Sequence, residues 1–137
     1  MTHWPAHYHP VSIEFSFRLE AYRRSGLRWN ELAGIGAPYL ICGEEELMFR
    51  DLLRSGLKGE FVNHTIATHI GPTTSDRFAS SAPFMRSKGA IMRACRGAAG
   101  ALLRLPLEAV RAQAPTLRSL AWLTQGYIYA CRNSNVL

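Results

Sequence analysis

Three consecutive carboxylates, Glu44, Glu45 and Glu46, follow a loop rich in glycine and proline and open an amphipathic helix. At 100° per residue, Glu45 falls on the apolar side of that helix together with Met48 and Phe49. Burial would raise the pKa of Glu45 towards neutrality, while the positive end of the helix dipole would lower it. A carboxyl group balanced between these effects is suited to be a general base. The sequence therefore predicts an active-site base at Glu45.

A purely structural interpretation of the same acids is also open. Acidic residues are favoured in the first turn of any helix, where they face backbone N–H groups that have no partner inside the helix. On this interpretation Glu44, Glu45 and Glu46 only cap the helix.

The segment from Val11 to Phe84 carries a series of motifs in a fixed order. They are an apolar run at 11–18, the sequence Gly-Leu-Arg-Trp-Asn-Glu at 26–31, the glycine-rich run at 34–39, Gly43-Glu44-Glu45, and Gly-Leu-Lys-Gly-Glu-Phe-Val at 56–62. In this order the segment resembles the acceptor-side half of family 2 inverting glycosyltransferases, enzymes with the GT-A fold that build bacterial polysaccharides. Gly43-Glu44-Glu45 is similar to the acidic motif of that family.

The resemblance implies a role for five residues. Glu45 would be the base that deprotonates the acceptor hydroxyl, and Glu44 would bind a sugar hydroxyl or support Glu45. Tyr39 and Arg77 would bind substrate, and His69 would be a metal or phosphate ligand. The residues themselves leave a second interpretation of the region around Arg77, because its serine, threonine and aspartate side chains are typical of a local turn.

The donor-binding features of this family are not recognisable in the sequence. The only aspartates are Asp51 and Asp76, so there is no Asp-x-Asp to hold a divalent cation, and no strand, glycine loop and helix precede Val11. We therefore expect the C-terminal, acceptor-side fragment of a transferase that uses a nucleotide-sugar donor and a polysaccharide or lipid-linked acceptor. The complete enzyme would need Mg²⁺ or Mn²⁺, which this chain would not retain alone. The donor-binding half would be a separate polypeptide if the enzyme is split, or it would be lost if the reading frame is broken. Without that half, the chain should be inactive.

Composition indicates one domain in a reducing compartment. The chain has 137 residues, of which 47% are hydrophobic, and three widely spaced cysteines without a Cys-x-x-Cys motif. The N-terminus lacks a basic start followed by an apolar stretch, so a cytoplasmic location is predicted. Residues 1–10 are expected to be a flexible arm, although their three histidines also fit a local metal cluster.

Positive charge is concentrated in the last third of the chain. Residues 85–137 carry eight Arg or Lys against Glu108 alone, whereas residues 1–84 carry eight against nine acids. Residues 85–104 fit a basic amphipathic helix, with an apolar face (Ile91, Cys95, Ala98, Leu102, Leu105) opposite an arginine face (Arg86, Arg93, Arg96, Arg104).

This basic tail has two interpretations. It could lie on an anionic membrane surface, which would place the protein at the inner face of the membrane, or its helices could pack their apolar faces inside the protein. A pI near 9.7 also fits a small nucleic-acid-binding module. However, the sequence shows no helix-turn-helix, zinc-finger or stacked-aromatic motif, so nucleic acid is not an expected partner.

Together these patterns predict a mixed α/β fold, a partial GT-A-like domain with a helical basic tail. Strands are predicted at 11–18 and 59–69, and helices at 19–25, 44–55, 85–104 and 116–132. The expected domains are the arm at 1–10, the acceptor-side part at 11–84 and the tail at 85–137.

Overall fold

The computed structural model describes residues 16–60, 62–68, 70–71, 79–112, 114–134 and 137. Within these residues the chain forms four helices: α1 (Leu19–Ser25), α2 (Glu44–Arg54), α3 (Ala82–Arg111) and α4 (Thr116–Arg132). The β-structure in this part of the chain is one isolated parallel bridge between Ala33 and Leu40. Of the helices described, none is both long and apolar enough to cross a lipid bilayer.

The predicted mixed α/β fold is wrong for the part of the chain that the structure describes, which is helical and contains no sheet. Residues 62–68 lie inside the predicted strand 59–69, but they are not strand in the structure. They are exposed, with Val62 67% and Ile66 65% exposed. A strand requires a neighbour to accept and donate its backbone hydrogen bonds, and the described residues supply none. Of the predicted strand at 11–18, residues 11–15 lie outside the described ranges and residues 16–18 are not strand.

The predicted helices at 19–25 and 116–132 are confirmed with the same bounds, and the helix at 44–55 ends one residue earlier than expected. The helix predicted at 85–104 is longer at both ends. It begins at Ala82 because Ser81 caps it, its side chain accepting a hydrogen bond from the Phe84 amide at 3.3 Å, with Pro83 in the first turn. Pro106 lies inside this helix, although proline removes a backbone hydrogen bond there.

A break at Gly97 divides α3 into two segments, 82–96 and 98–111. Gly97 has φ 74° and ψ 177°, a conformation that is unfavourable for residues with a side chain. Lys88 Nζ lies 2.6 Å from Glu108 Oε2, although a straight helix would hold these residues about 30 Å apart. The second segment therefore folds back along the first as a helical hairpin.

The hairpin changes which side chains are buried. Ile91 and Leu105, predicted to share an apolar face, are both buried, but Cys95 and Leu102 from the same predicted face are exposed. On the predicted arginine face, Arg86 is half-buried. The prediction failed because it assumed one continuous helix, whereas the chain reverses at Gly97.

Two apolar clusters form the core. The first joins the loop before α2, α2 itself, segment 82–96 and the end of the chain; the second joins both segments of α3 to α4. Their buried members are Ala33, Leu40, Leu47, Ala90, Ile91, Ala130 and Leu137 in the first, and Met85, Met92, Ala101, Leu105, Ala109 and Leu123 in the second. The acidic start of α2 therefore rests on segment 82–96.

Segment 82–96 and α4 meet through backbone contact at two glycines. A Cβ atom on Gly89 would lie 2.0 Å from the carbonyl oxygen of Leu123, and one on Gly126 would lie 1.8 Å from the carbonyl oxygen of Arg86. Both distances are far below van der Waals contact. Any larger residue would push the two helices apart.

Replacing Gly126 tests this contact. Gly126→Ala should lower the free energy of unfolding by about 3 kcal/mol, the upper end of the range for overpacking, because the methyl group meets rigid backbone. Gly100→Ala is the matched control, since the new methyl would meet only the Cβ of Arg96 at 3.3 Å, and we expect it to change stability by less than about 1 kcal/mol. Urea unfolding followed by circular dichroism measures both. Equal stability of the two variants would contradict the close contact.

Candidate active site

The loop that precedes the acidic residues is closed on itself and anchored in the core. The Gly34 amide donates to the Leu40 carbonyl at 2.9 Å, and the Ala37 amide donates to the Gly34 carbonyl at 3.0 Å. Leu40 is completely buried, and Ala33 is buried in the same cluster. Gly34 itself has φ 116°, which favours glycine. The loop therefore holds its position next to α2.

Gly43 brings the start of α2 against segment 82–96. It precedes the helix with φ 102°, and a Cβ atom there would lie 2.3 Å from Cγ1 of Ile91. A hydrogen bond fixes the same contact one turn away, since the Ile41 amide donates to Ser87 Oγ at 2.8 Å. Ser87 is fully buried and its hydroxyl donates in turn to the Pro83 carbonyl at 3.0 Å. The acidic helix start is thus packed against α3 on one side.

Glu44 lies closest to the loop. Its carboxylate lies against Gly34, where a Cβ atom would be 3.0 Å from the Glu44 Cδ. One carboxylate oxygen, Oε2, is buried and has no hydrogen-bond partner among the described residues. Burial raises the pKa of Glu44, the backbone amide of Glu44 opposes this rise, and the negative charge of Glu45 adds to it. Glu44 is therefore a carboxyl group that holds a proton unusually well.

Glu45 and Glu46 complete the acidic triplet, and both are half-buried. Burial also raises the pKa of Glu46; its backbone amide opposes the shift, and the charges of Glu45 and Glu44 strengthen it. The triplet has no salt bridge with the described residues, and the nearby Arg50 binds Asp51 instead, with Nε 2.7 Å from Oδ1. Three like charges thus share one helical turn without a neutralising cation in the described part of the chain.

Cys42, directly before this turn, is unsuited to nucleophilic chemistry. Burial raises the pKa of its thiol to about 11; a hydrogen bond with Ser87 opposes this rise, and the charges of the three glutamates add to it. A thiol with this pKa is almost wholly protonated at neutral pH, so it is a poor nucleophile. The chemistry available at this site is that of carboxylates.

Tyr39, predicted to bind substrate, packs on α4. Its ring stacks on Tyr129 with centroids 4.3 Å apart and an angle of 20° between the planes. The guanidinium carbon of Arg86 lies 5.2 Å from the centre of the Tyr39 ring. These contacts attach the loop to α3 and α4. Substrate binding by Tyr39 stays a prediction.

Two other predicted site residues, His69 and Arg77, lie outside the described residues, as do residues 1–10 with their three histidines. In the part of the chain that the structure describes, no group of three or more His, Cys, Asp or Glu side chains could hold a metal ion. These residues therefore do not provide a ligand set for the Mg²⁺ or Mn²⁺ that the resemblance implies.

Reasoning from the sequence placed the chemistry on Glu45 and did not recognise the burial of Glu44 and Glu46. The helical period of α2 cannot show the burial of Glu44, because the loop at Gly34 lies against its carboxylate from outside the helix. The one available signal was glycine at 34 and 43, since glycine often marks a close approach of the backbone.

Comparison of the chain with protein-family models, curated proteins and solved structures finds no match. The similarity to glycosyltransferases thus stays a prediction based on the motifs.

Gly43 offers a test of how the acidic turn is positioned. Gly36→Ala introduces a positive-φ alanine with open space around it and should cost about 1–2 kcal/mol from strain. Gly43→Ala carries similar strain and also meets the Ile91 side chain, so its loss of unfolding free energy should be larger by about 1–3 kcal/mol. Urea unfolding of both variants gives the difference. Equal losses would mean that Ile91 does not confine the start of α2.

The raised pKa of Glu44 predicts a pH dependence of stability. The folded protein binds this proton more tightly than the unfolded chain, in which the pKa is near 4.5, so unfolding free energy falls as pH rises from 4.5 through the folded value. Glu44→Gln removes the cost of ionising the buried group. It should therefore be more stable than wild type at neutral pH, with an advantage that shrinks as pH falls through the folded pKa towards 4.5 and is absent below 4.5.

Thermal unfolding of Glu44→Gln and wild type from acid to neutral pH measures this difference. Glu108, whose pKa is lowered, has the opposite effect below 4.5, and it cancels in the comparison because both proteins contain it. Glu20→Gln on exposed α1 is the control and should show no such pH-dependent gain. A gain for Glu44→Gln that is constant at all pH values would contradict the prediction.

Proposed function

We propose that the acidic start of α2 belongs to an inverting glycosyl-transfer site and activates a hydroxyl group of a sugar acceptor. Glu45 is the general base, and Glu44 accepts a hydrogen bond from a neighbouring sugar hydroxyl. The observation that carries the proposal is the buried Oε2 of Glu44, which has no partner among the described residues. A buried acceptor without a donor is costly, and a sugar hydroxyl is a donor that would complete it once the loop at Gly34 moves aside and exposes this oxygen.

The proposed reaction is a single displacement. Glu45 takes the proton of the acceptor hydroxyl while the hydroxyl oxygen forms a bond to the anomeric carbon of the donor. The bond from that carbon to the diphosphate breaks, and the electron pair leaves with the diphosphate. Because attack comes from the face opposite the leaving group, the anomeric configuration is inverted.

The raised proton affinity of Glu44 supports its place in the proposed site. Glu44 holds a proton more tightly than an ordinary glutamate, because burial and the adjacent charge of Glu45 both raise its pKa. Burial likewise raises the pKa of Glu46 in the same turn. Carboxyl groups whose pKa is shifted by burial cluster at functional sites.

The motif Gly43-Glu44-Glu45, which resembles the acidic motif of family 2 glycosyltransferases, also supports the proposal. The proposal carries over the role of this motif to the chain, but it does not carry over the GT-A fold. Binding of a nucleotide-sugar donor is assigned to parts outside the described residues, including Arg77 and His69 and a donor-binding half. In the complete enzyme Mg²⁺ or Mn²⁺ would neutralise charge on the diphosphate. We expect no transfer by the isolated chain.

A cytoplasmic location, peripheral at the inner face of the membrane, is part of the proposal. It is supported by the three free cysteines, Cys42, Cys95 and Cys131, because unpaired thiols are typical of reducing compartments. Lipid-linked or polysaccharide acceptors would be accessible there.

Sugar binding tests the proposal without a donor. We expect amide shifts at Gly34 and at 43–46 when the isotope-labelled chain is titrated with the methyl glycosides of glucose, galactose and N-acetylglucosamine. Glu44→Gln should weaken this binding at least about tenfold, since it disturbs a hydrogen bond to a charged or proton-sharing acceptor. Glu45→Gln should retain it, because its proposed role is proton transfer.

Glu31→Gln, which alters an exposed acid before the loop, is the matched control and should bind like wild type. Shifts confined to other regions, or none at any sugar concentration, would overturn the proposal. If a donor-binding half is supplied and transfer occurs, Glu45→Gln should abolish turnover without abolishing binding; undiminished turnover would exclude Glu45 as the base.

A further inference from the structure

Segment 98–111 of α3 is apolar on two sides. Its inner side is buried in the second core cluster through Ala101, Leu105 and Ala109. The opposite side carries five apolar residues that are exposed, with Leu103 82% and Val110 68% exposed. We call this side the outer stripe, and its members are Leu102, Leu103, Pro106, Leu107 and Val110. A contiguous exposed stripe of this kind indicates an interaction surface.

The outer stripe has a positive border. At 100° per residue, Arg104 and Arg111 lie next to each other along one edge of the stripe, adjoining Leu107. Both arginines are exposed. The following helix continues the pattern in its first turn with the exposed pair Leu117 and Arg118. An aliphatic surface is thus combined with exposed positive charges.

The single acid of this region is directed away from the stripe. Glu108 is half-buried, and its carboxylate pairs with Lys88 at 2.6 Å and Arg111 at 3.4 Å. Burial acts to raise the pKa of Glu108, but Lys88, Arg111 and Arg104 hold it below the ordinary value. Its charge is therefore compensated inside the protein, and the outer stripe has no exposed carboxylate to repel an anionic surface.

We propose that the outer stripe docks on an anionic lipid bilayer, with its aliphatic side chains inserted between the headgroups and Arg104 and Arg111 at the lipid phosphates. The charge pattern favours this occupant. A second copy would bring a surface of the same positive charge, whereas a nucleic acid would pair with the arginines but leave the aliphatic side chains without an apolar partner. The inference rests on the peripheral membrane location in the proposed function and gives it a surface, and it is independent of the proposed sugar transfer.

Vesicle flotation tests the proposal. The intact chain should float with vesicles made of equal parts phosphatidylcholine and phosphatidylglycerol, and it should not float with phosphatidylcholine alone. Leu103→Ser combined with Val110→Ser should weaken binding at least about tenfold, because two exposed aliphatic side chains are lost without a change in charge. Leu19→Ser on α1 removes a leucine that is 55% exposed elsewhere and should bind like wild type.

Charge is tested by a second matched pair. Arg104→Gln with Arg111→Gln should weaken binding about twentyfold or more, since each basic residue near the headgroups contributes about fivefold. Arg23→Gln with Arg24→Gln makes the same charge change on exposed α1 and should have a much smaller effect. Circular dichroism confirms that each variant is folded.

Several results would overturn the proposal: no flotation of the wild-type chain, equal binding to neutral vesicles, or equal losses in the outer-stripe and α1 variants. Self-association that is abolished by the Leu103 and Val110 changes would assign the stripe to a second copy. Salt-dependent binding of a labelled oligonucleotide that is lost with the Arg104 and Arg111 changes would assign it to nucleic acid.

Discussion

The backbone contacts of Gly89 with Leu123 and of Gly126 with Arg86 are the constraint on which the rest of the structure depends. It brings segment 82–96 and α4 so close that a methyl group on either glycine would overlap a carbonyl oxygen of the other helix. This distance fixes where the neighbouring side chains lie. Ser87 and Ile91, on the same segment as Gly89, then contact the loop before α2, and Tyr129 on α4 stacks on Tyr39. The acidic turn is positioned through these contacts.

The same contacts explain why the carboxylates are perturbed. Gly43 seats the helix start directly on Ile91, and Gly34 lets the loop backbone lie against the Glu44 carboxylate. The approach at Gly34 buries the Glu44 carboxylate without supplying a cation, and burial is the largest cause of the raised pKa of both Glu44 and Glu46. Glycine at position 34 therefore contributes to the proton affinity of Glu44. The chemistry of the site follows from packing as much as from the acids themselves.

The sequence predicts local structure well and long-range structure poorly. Three of the four helices in the described residues have bounds within one residue of the prediction, because helical period and capping act between near neighbours. The predicted strand at 59–69 failed because a strand depends on a partner elsewhere in the chain, which local pattern does not reveal. The reversal at Gly97 was missed because a glycine inside a helical pattern has several explanations, and only contacts such as Lys88 with Glu108 distinguish them. The site prediction on the first turn of α2 stays a prediction, and the burial of Glu44 that the structure shows there depends on other elements.

The acidic turn is difficult to explain as structure alone. Helix N-termini favour acids, yet capping needs one exposed carboxylate, whereas here three are half-buried in one turn. Arg50 is near enough in sequence to neutralise them, but its guanidinium binds Asp51 and the carbonyl of Leu137. Like charges that are partly desolvated and unpaired within the described residues cost stability, and such costs concentrate at functional sites. A ligand that donates hydrogen bonds to these oxygens would recover part of the lost stability. A turn with a purely structural role would have no such compensation.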